Sequence, residues 1–226
     1  MIVNGDLIKI KQIFAYVNQE NISVEELGVP NNEFNQGQKQ TLADYSCVRR
    51  GITPLILAAW NGHHQVCDYL ITEQKANLET RDNSQRTALT YAAFTNKTDV
   101  LKVLVKNNAS VKARNSFGYH AAYLAAEYGY LDALKILIEK DGDVIDLKGP
   151  NGETPLIAAS RRGWVDVCKY LVEEKNANIN LEDDNGMNSL QHATNYNEYC
   201  DENYKDYDEI LRYFRILRIL RSKCAE

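Results

Sequence analysis

The chain has 226 residues, a formal net charge of −5 and a pI near 5.5, so no overall attraction to nucleic acid is expected. Its longest apolar run, Pro54 to Trp60, falls far short of the ~20 residues a membrane span requires. Five cysteines make an odd count without CxxC or another metal-ligand spacing.

Taken in order, the first residues alternate apolar and charged groups. Asp6, Lys9 and Lys11 interrupt the opening apolar stretch, which is therefore not read as a signal peptide. Leu7, Ile10, Ile13, Phe14 and Val17 share one helical face, so 6–17 is predicted to be an outer helix capping the array that follows. Residues 18–47 are an insertion, polar over 31–40, and read as a loop or a contact surface. Gly51 to Ile71 then predicts a helix pair. Thr53 is an N-cap, Pro54 fits the first helical turn, Gly62 ends the first helix, and Val66, Leu70 and Ile71 line the second.

The pattern returns from Thr53 at Thr87, His120, Thr154 and Asn188, in steps of 34, 33, 34 and 34 residues. Such a period marks a stacked repeat array. Ala58 and Ala59 are small enough to let neighbouring first helices approach closely. Asn96 and Asn197 stand where Gly62 stands, and asparagine tolerates the left-handed backbone needed there. Cys67 and Cys168 recur in a Val-Cys-x-Tyr-Leu setting and read as buried thiols of a reducing, cytosol-like compartment.

Thr53-Pro54-Leu55, Ala58-Ala59 and Gly62-His63 resemble the ankyrin repeat, whose pattern begins T-P-L-H-x-A-A-x-x-G-H. Four repeats match over 51–186, and a degenerate fifth begins at Met187. The resemblance implies an all-α ankyrin-repeat solenoid of stacked helix-turn-helix units, one domain over 1–226, with modified N- and C-terminal caps. The histidine of T-P-L-H is replaced by Ile56, Thr90, Tyr123, Ile157 and Gln191, so the family's threonine–histidine hydrogen bond is not expected. His120-Ala121 replaces Thr-Pro in the third repeat, which leaves that helix without an evident cap. His63, Tyr130 and Trp164 occupy the G-H position and are assigned to the inter-helix turn. His64 and His192 stand alone and are read as surface or core residues.

The chain ends with an acidic, tyrosine-rich stretch and a basic amphipathic segment over 210–221, read as a capping helix or a docking helix. By the resemblance, variable positions lie at inner-helix ends and finger turns along a concave side. Those positions hold Trp60, Phe94, Phe117, Tyr119, Tyr128, Arg161, Arg162 and Tyr196, alongside Glu127 and Glu153. Exposed aromatics with arginine have the composition of a binding hot spot. They are the expected partner-binding residues, the arginines facing an acidic segment of the partner.

No P-loop, HExxH or paired Cys/His spacing is present, so no catalytic residue, cofactor or metal is expected. Cys47, beside Arg49 and Arg50, and Cys200, among acids, would be the thiols of a cysteine enzyme, the reading from a different class. The expected function is non-catalytic binding of a protein partner, without nucleic acid, by a cytoplasmic monomer. Richness in Asn, Lys, Ile and Tyr suits an AT-rich genome. It allows a second version of the same reading, an effector of an intracellular bacterium acting in a host cytosol.

Overall fold

The computed structural model describes the backbone of residues 51–197 and the side chains through residue 193. The helices expected over 6–17 and 210–221, and the insertion at 18–47, lie outside the described residues. Two compact units divide after Phe117. Each is built of helix pairs, and among the described residues there is no strand.

In the first unit, α1 (Pro54–Asn61) pairs with α2 (His64–Thr72), and α3 (Ala88–Phe94) with α4 (Thr98–Lys106). First helix packs on first helix, α1 on α3, and second on second, α2 on α4. In the second unit, α5 (Ala121–Glu127) pairs with α6 (Leu131–Lys140), and α7 (Pro155–Arg162) with α8 (Val165–Lys169). There α7 touches α5 on one side and α9 (Ser189–Asn197) on the other.

Each first helix starts where its cap residue predicts. The hydroxyls of Thr53, Thr87 and Thr154 accept from the N–H groups of Ile56, Thr90 and Ile157 at 3.2–3.3 Å. The third repeat is capped after all: His120 Nδ1 accepts from Tyr123 N–H at 3.3 Å. Its other ring nitrogen lies 2.9 Å from the Leu147 carbonyl, so the ring is the Nε2–H tautomer and uses both nitrogens. The missing threonine–histidine bond has substitutes. Thr87 and Thr90 share a hydroxyl–hydroxyl bond of 3.1 Å. Asn188 and Gln191 bond each other's backbone N–H, at 3.1 and 2.8 Å, as a reciprocal capping box.

All four described first-helix endings are alike. His63, Lys97, Tyr130 and Trp164 donate their N–H groups to the carbonyls of Ala58, Ala92, Ala125 and Ala159, at 2.8–3.0 Å. The residue before each is left-handed, with φ of 84° at Gly62 and 55° at Asn96. His63, Tyr130 and Trp164 thus sit in the turn, as N-caps of the second helices.

Burial follows the repeat. The Ala-Ala pairs at 58–59, 92–93, 125–126 and 158–159 have no exposed surface, which is what lets first helices lie close. Leu70, Leu104, Leu137 and Leu171 are equally sealed on the second helices. Burying a leucine of this kind contributes roughly 1.5–3 kcal/mol.

The uneven period has a local cause. Repeats one and four carry one residue more between Val66 and Ala76, or Val167 and Ala177, than repeat two carries between Val100 and Ala109. The extra residue is absorbed as a wide turn. Gln74 N–H reaches Tyr69 O at 3.3 Å and Lys175 N–H reaches Tyr170 O at 3.2 Å, both five residues back. Tyr170–Glu174 is accordingly a π-helical turn. In repeat two, Asn107 N–H bonds Val103 O, four residues back. Tyr69 receives Gln74 Nε2 on its hydroxyl at 3.0 Å. Lys175, in Gln74's place, instead lies over the Tyr170 ring at 5.6 Å. The Tyr170 hydroxyl is buried and has no partner among the described residues.

Successive finger turns are tied within each unit. Ser116 N–H donates to Ser84 O, and Asp184 N–H to Asn151 O, both at 2.9 Å. Arg81 reaches Arg114 O at 2.6 Å and Lys148 reaches Glu182 O at 2.9 Å, each spanning one repeat.

Candidate functional site

Large apolar rings face solvent at the ends of first helices. In the first unit Trp60 is 38% exposed and Phe94 42%, at equivalent positions of α1 and α3. Trp60 is stacked on Tyr91, with centroids 5.1 Å apart and planes 20° from parallel. Tyr91 is fixed in turn: its hydroxyl donates to Asp82 Oδ2 at 2.7 Å, and the Arg86 guanidinium lies 5.5 Å over its ring. Burial, then the Asp82 carboxylate, push the phenol up, so it stays a donor. Asp82 Oδ1 accepts from the N–H groups of Ser84 and Arg86 and closes the finger. The exposed indole thus stands on a rigid base. Phe117, 62% exposed, ends the unit at the next finger, where its N–H is held by Asn115 Oδ1 at 2.9 Å.

In the second unit Tyr128 is 41% exposed and stacks on Tyr130 at 5.8 Å. Tyr119 is half-buried against Tyr123, centroids 5.4 Å apart. Tyr196 lies on α9, its side chain outside the described ones.

Arg161 and Arg162 do not stand free. Arg161 Nη2 bonds Glu127 Oε2 at 2.8 Å and Glu153 Oε2 at 3.2 Å. Arg162 grips Glu127 Oε1 through Nε at 2.8 Å and Nη2 at 2.6 Å. Glu127 and Glu153 are buried acids beneath the arginines, where the sequence pattern placed surface residues. Repeat three carries an acid at the position of Trp60 and Phe94, and repeat four carries arginine in register above it. Tyr123 completes the group, donating its hydroxyl to Glu153 Oε2 at 2.5 Å. Burial and the Glu153 carboxylate hold that phenol far above its usual range. Burial alone would lower the Arg161 guanidinium, but Glu127 and Glu153 outweigh it and keep it charged.

Trp164 is 42% exposed and donates its indole N–H to Glu127 O at 2.9 Å. It borders a hollow of about 420 Å³ lined also by Gly129, Val165 and Lys169. A methyl group at Gly129 would sit 2.5 Å from the Trp164 ring, at a φ of +74°. Gly129→Ala is therefore expected to cost about 1–2 kcal/mol in backbone strain and to displace the indole. A red shift of Trp164 emission in a Trp60→Phe background checks it; unchanged emission and stability would refute the contact.

Two thiols are described. Cys67 and Cys168 are buried, and burial pushes both thiols up to about 12. Cys47 and Cys200 lie outside the described residues. Among the described residues no helix is long and apolar enough to cross a membrane.

Short helix pairs repeated every 33–34 residues, with capped first helices and looped fingers, define a helix-turn-helix repeat protein. The chain belongs to the ankyrin-repeat family, whose model (ankyrin repeats, 3 copies) matches residues 13–115 and 122–203. It is 39% identical over 70 residues to an ankyrin repeat-containing protein of Schizosaccharomyces pombe, covering 31% of this chain and 33% of that one. It is 31% identical over 115 residues to the ankyrin repeat and KH domain-containing protein mask-1 of Caenorhabditis elegans, covering 50% of this chain and 4% of that one. An ankyrin repeat protein of vaccinia virus is 32% identical over 92 residues, covering 41% of this chain and 16% of its own. The chain thus spans a third or less of each of these relatives. Ankyrin repeats are in general protein–protein interaction modules, and the family is typically non-enzymatic.

Proposed function

We propose that this chain is a non-catalytic recognition module that binds a protein partner through its exposed rings. Trp60, Phe94 and Phe117 serve on the first unit, Tyr119 and Tyr128 on the second, and Tyr196 on α9. The observation that carries this reading is Trp60: an exposed indole held by stacking on a tyrosine that is itself locked to a finger. A pre-ordered ring loses little entropy on docking, and aromatic anchors of this kind dominate interface energies. Arg161 and Arg162 are the charged members of this surface, placed to meet an acidic segment of the partner. Each already bonds Glu127, Arg161 through Nη2 and Arg162 through Nε and Nη2, which holds the guanidiniums in place before a partner docks. The buried thiols suit a reducing compartment, and the module is taken to act as a monomer.

The test is capture from cell lysate by wild type and by a Trp60→Ala/Phe94→Ala/Tyr128→Ala variant, both first shown folded by circular dichroism. Each anchor is worth at least ~1–2 kcal/mol, so the variant is expected to lose tenfold or more of a specific partner. Equal capture by both proteins removes the aromatic assignment.

A further inference from the structure

The repeats supply an internal control for one buried cluster. Between repeats one and two, three register positions hold Ile52, Asp82 and Tyr91. Asp82 closes its finger and takes the tyrosine hydroxyl, which is a purely structural arrangement. Between repeats four and five, the same positions hold Glu153, Asp183 and His192. Asp183 again closes its finger, accepting from Asn185 and Met187 N–H at 2.9 Å. His192 replaces the tyrosine, its Nε2 at 2.8 Å from Asp183 Oδ2, so it is no lone histidine. The third position has changed from an aliphatic group to a carboxylate. All three residues are buried, and one ligand-capable atom from each lies within 4.8 Å of the others.

We propose that Glu153, Asp183 and His192 bind one divalent transition-metal ion, with zinc as the ion of choice, clamping the fifth repeat to the fourth. Four observations carry it. The donor set of two carboxylates and an imidazole suits zinc, and the imidazole disfavours magnesium and calcium. Glu153 is held by Tyr123 and Arg161 through Oε2 alone, and among the described residues no hydrogen bond falls on its Oε1. Arg161 and Arg162 pair with Glu127 and Glu153, whereas Asp183 meets no guanidinium among the described residues and is held by His192 and two backbone N–H groups. A tetrahedral ion with bonds near 2.0–2.1 Å needs its donors about 3.3 Å apart. The His192–Asp183 pair opens by about half an ångström to meet this, while the finger keeps Asp183 Oδ1.

The experiment compares the chelator-stripped full chain with His192→Tyr, which rebuilds the Tyr91–Asp82 pairing and removes the ligand. Zinc bound after equilibrium dialysis is counted by elemental analysis, and Tm is followed as zinc is added. Wild type is expected to retain one zinc more than the variant. At a hundredfold excess over Kd its Tm should rise by roughly 5–10 °C, with no response in the variant. Equal zinc and equal Tm in the two proteins, or no zinc in either, overturns the site. Should His192→Tyr fail to fold, Glu153→Gln, which keeps an acceptor for Tyr123 and Arg161, decides on the same two readouts.

Discussion

Glu127→Ala is expected to destabilise the second unit by about 2–3 kcal/mol, lowering Tm by roughly 5–10 °C. The carboxylate is buried and takes one bond from Arg161 and two from Arg162. Removing one partner of a fully buried pair costs about 3–5 kcal/mol, because the surviving charge is left desolvated. The arginines are not fully buried, which reduces the figure. Arg162, 45% exposed at its side chain, can turn into water, whereas Arg161, 29% exposed, is wedged between Tyr123 and Glu153. The loss therefore sits mainly on Arg161. Glu127→Gln keeps an acceptor and is expected to lose about half as much. Because Arg161 and Arg162 share the acid, Arg162→Ala should cost markedly less in the Glu127→Ala background than alone, read as a double-mutant cycle in denaturant unfolding. Additive losses, or a loss below about 0.5 kcal/mol for Glu127→Ala, would show that the network contributes nothing as a unit.

The same cluster marks where the sequence was readable and where it was not. Thr53-Pro54, the alanine pairs and Gly62 each act within one turn of chain, so their local chemistry names their roles. The period follows from them, and even its one-residue variation is written in the spacing of Val66 and Ala76 against Val100 and Ala109. Glu127 could not be assigned in this way. It stands in register with Trp60 and Phe94 and looks equally external. Its burial depends on two arginines 34 and 35 residues on. His192 looked solitary because Asp183 is nine residues before it and Glu153 lies in the preceding repeat. Local signals carry the fold, whereas polar clusters between repeats are set by side chains about one period apart. Comparing register positions across repeats, Ile52 with Glu153 and Tyr91 with His192, was the signal that could have exposed them.

His120→Ala is expected to cost about 3 kcal/mol, or a Tm loss of roughly 6–12 °C. The residue has no exposed surface and serves two backbone groups at once. Its Nδ1 caps α5 through Tyr123 N–H, a contribution of about 1 kcal/mol. Its Nε2–H satisfies the Leu147 carbonyl, and leaving such a group unpaired costs about 1–3 kcal/mol. The space left by the imidazole adds to both. His120→Thr separates these contributions, because threonine is the cap used at 53, 87 and 154 but its hydroxyl is too short to span to Leu147. The threonine variant should therefore recover the cap and remain about 1–2 kcal/mol below wild type. Chemical denaturation of the three proteins measures the series, and the imidazole 15N shifts of wild type should show Nδ1 bare and Nε2 protonated. If the threonine variant proves as stable as wild type, the Leu147 bond contributes nothing, and histidine is merely tolerated at this cap. If it falls as far as alanine, the cap contributes nothing, and the residue is held by the loop at Leu147 alone. The intermediate result is the one the geometry requires: a histidine doing the work of a threonine cap on its own helix while its far nitrogen ties down the loop that leads into the next repeat.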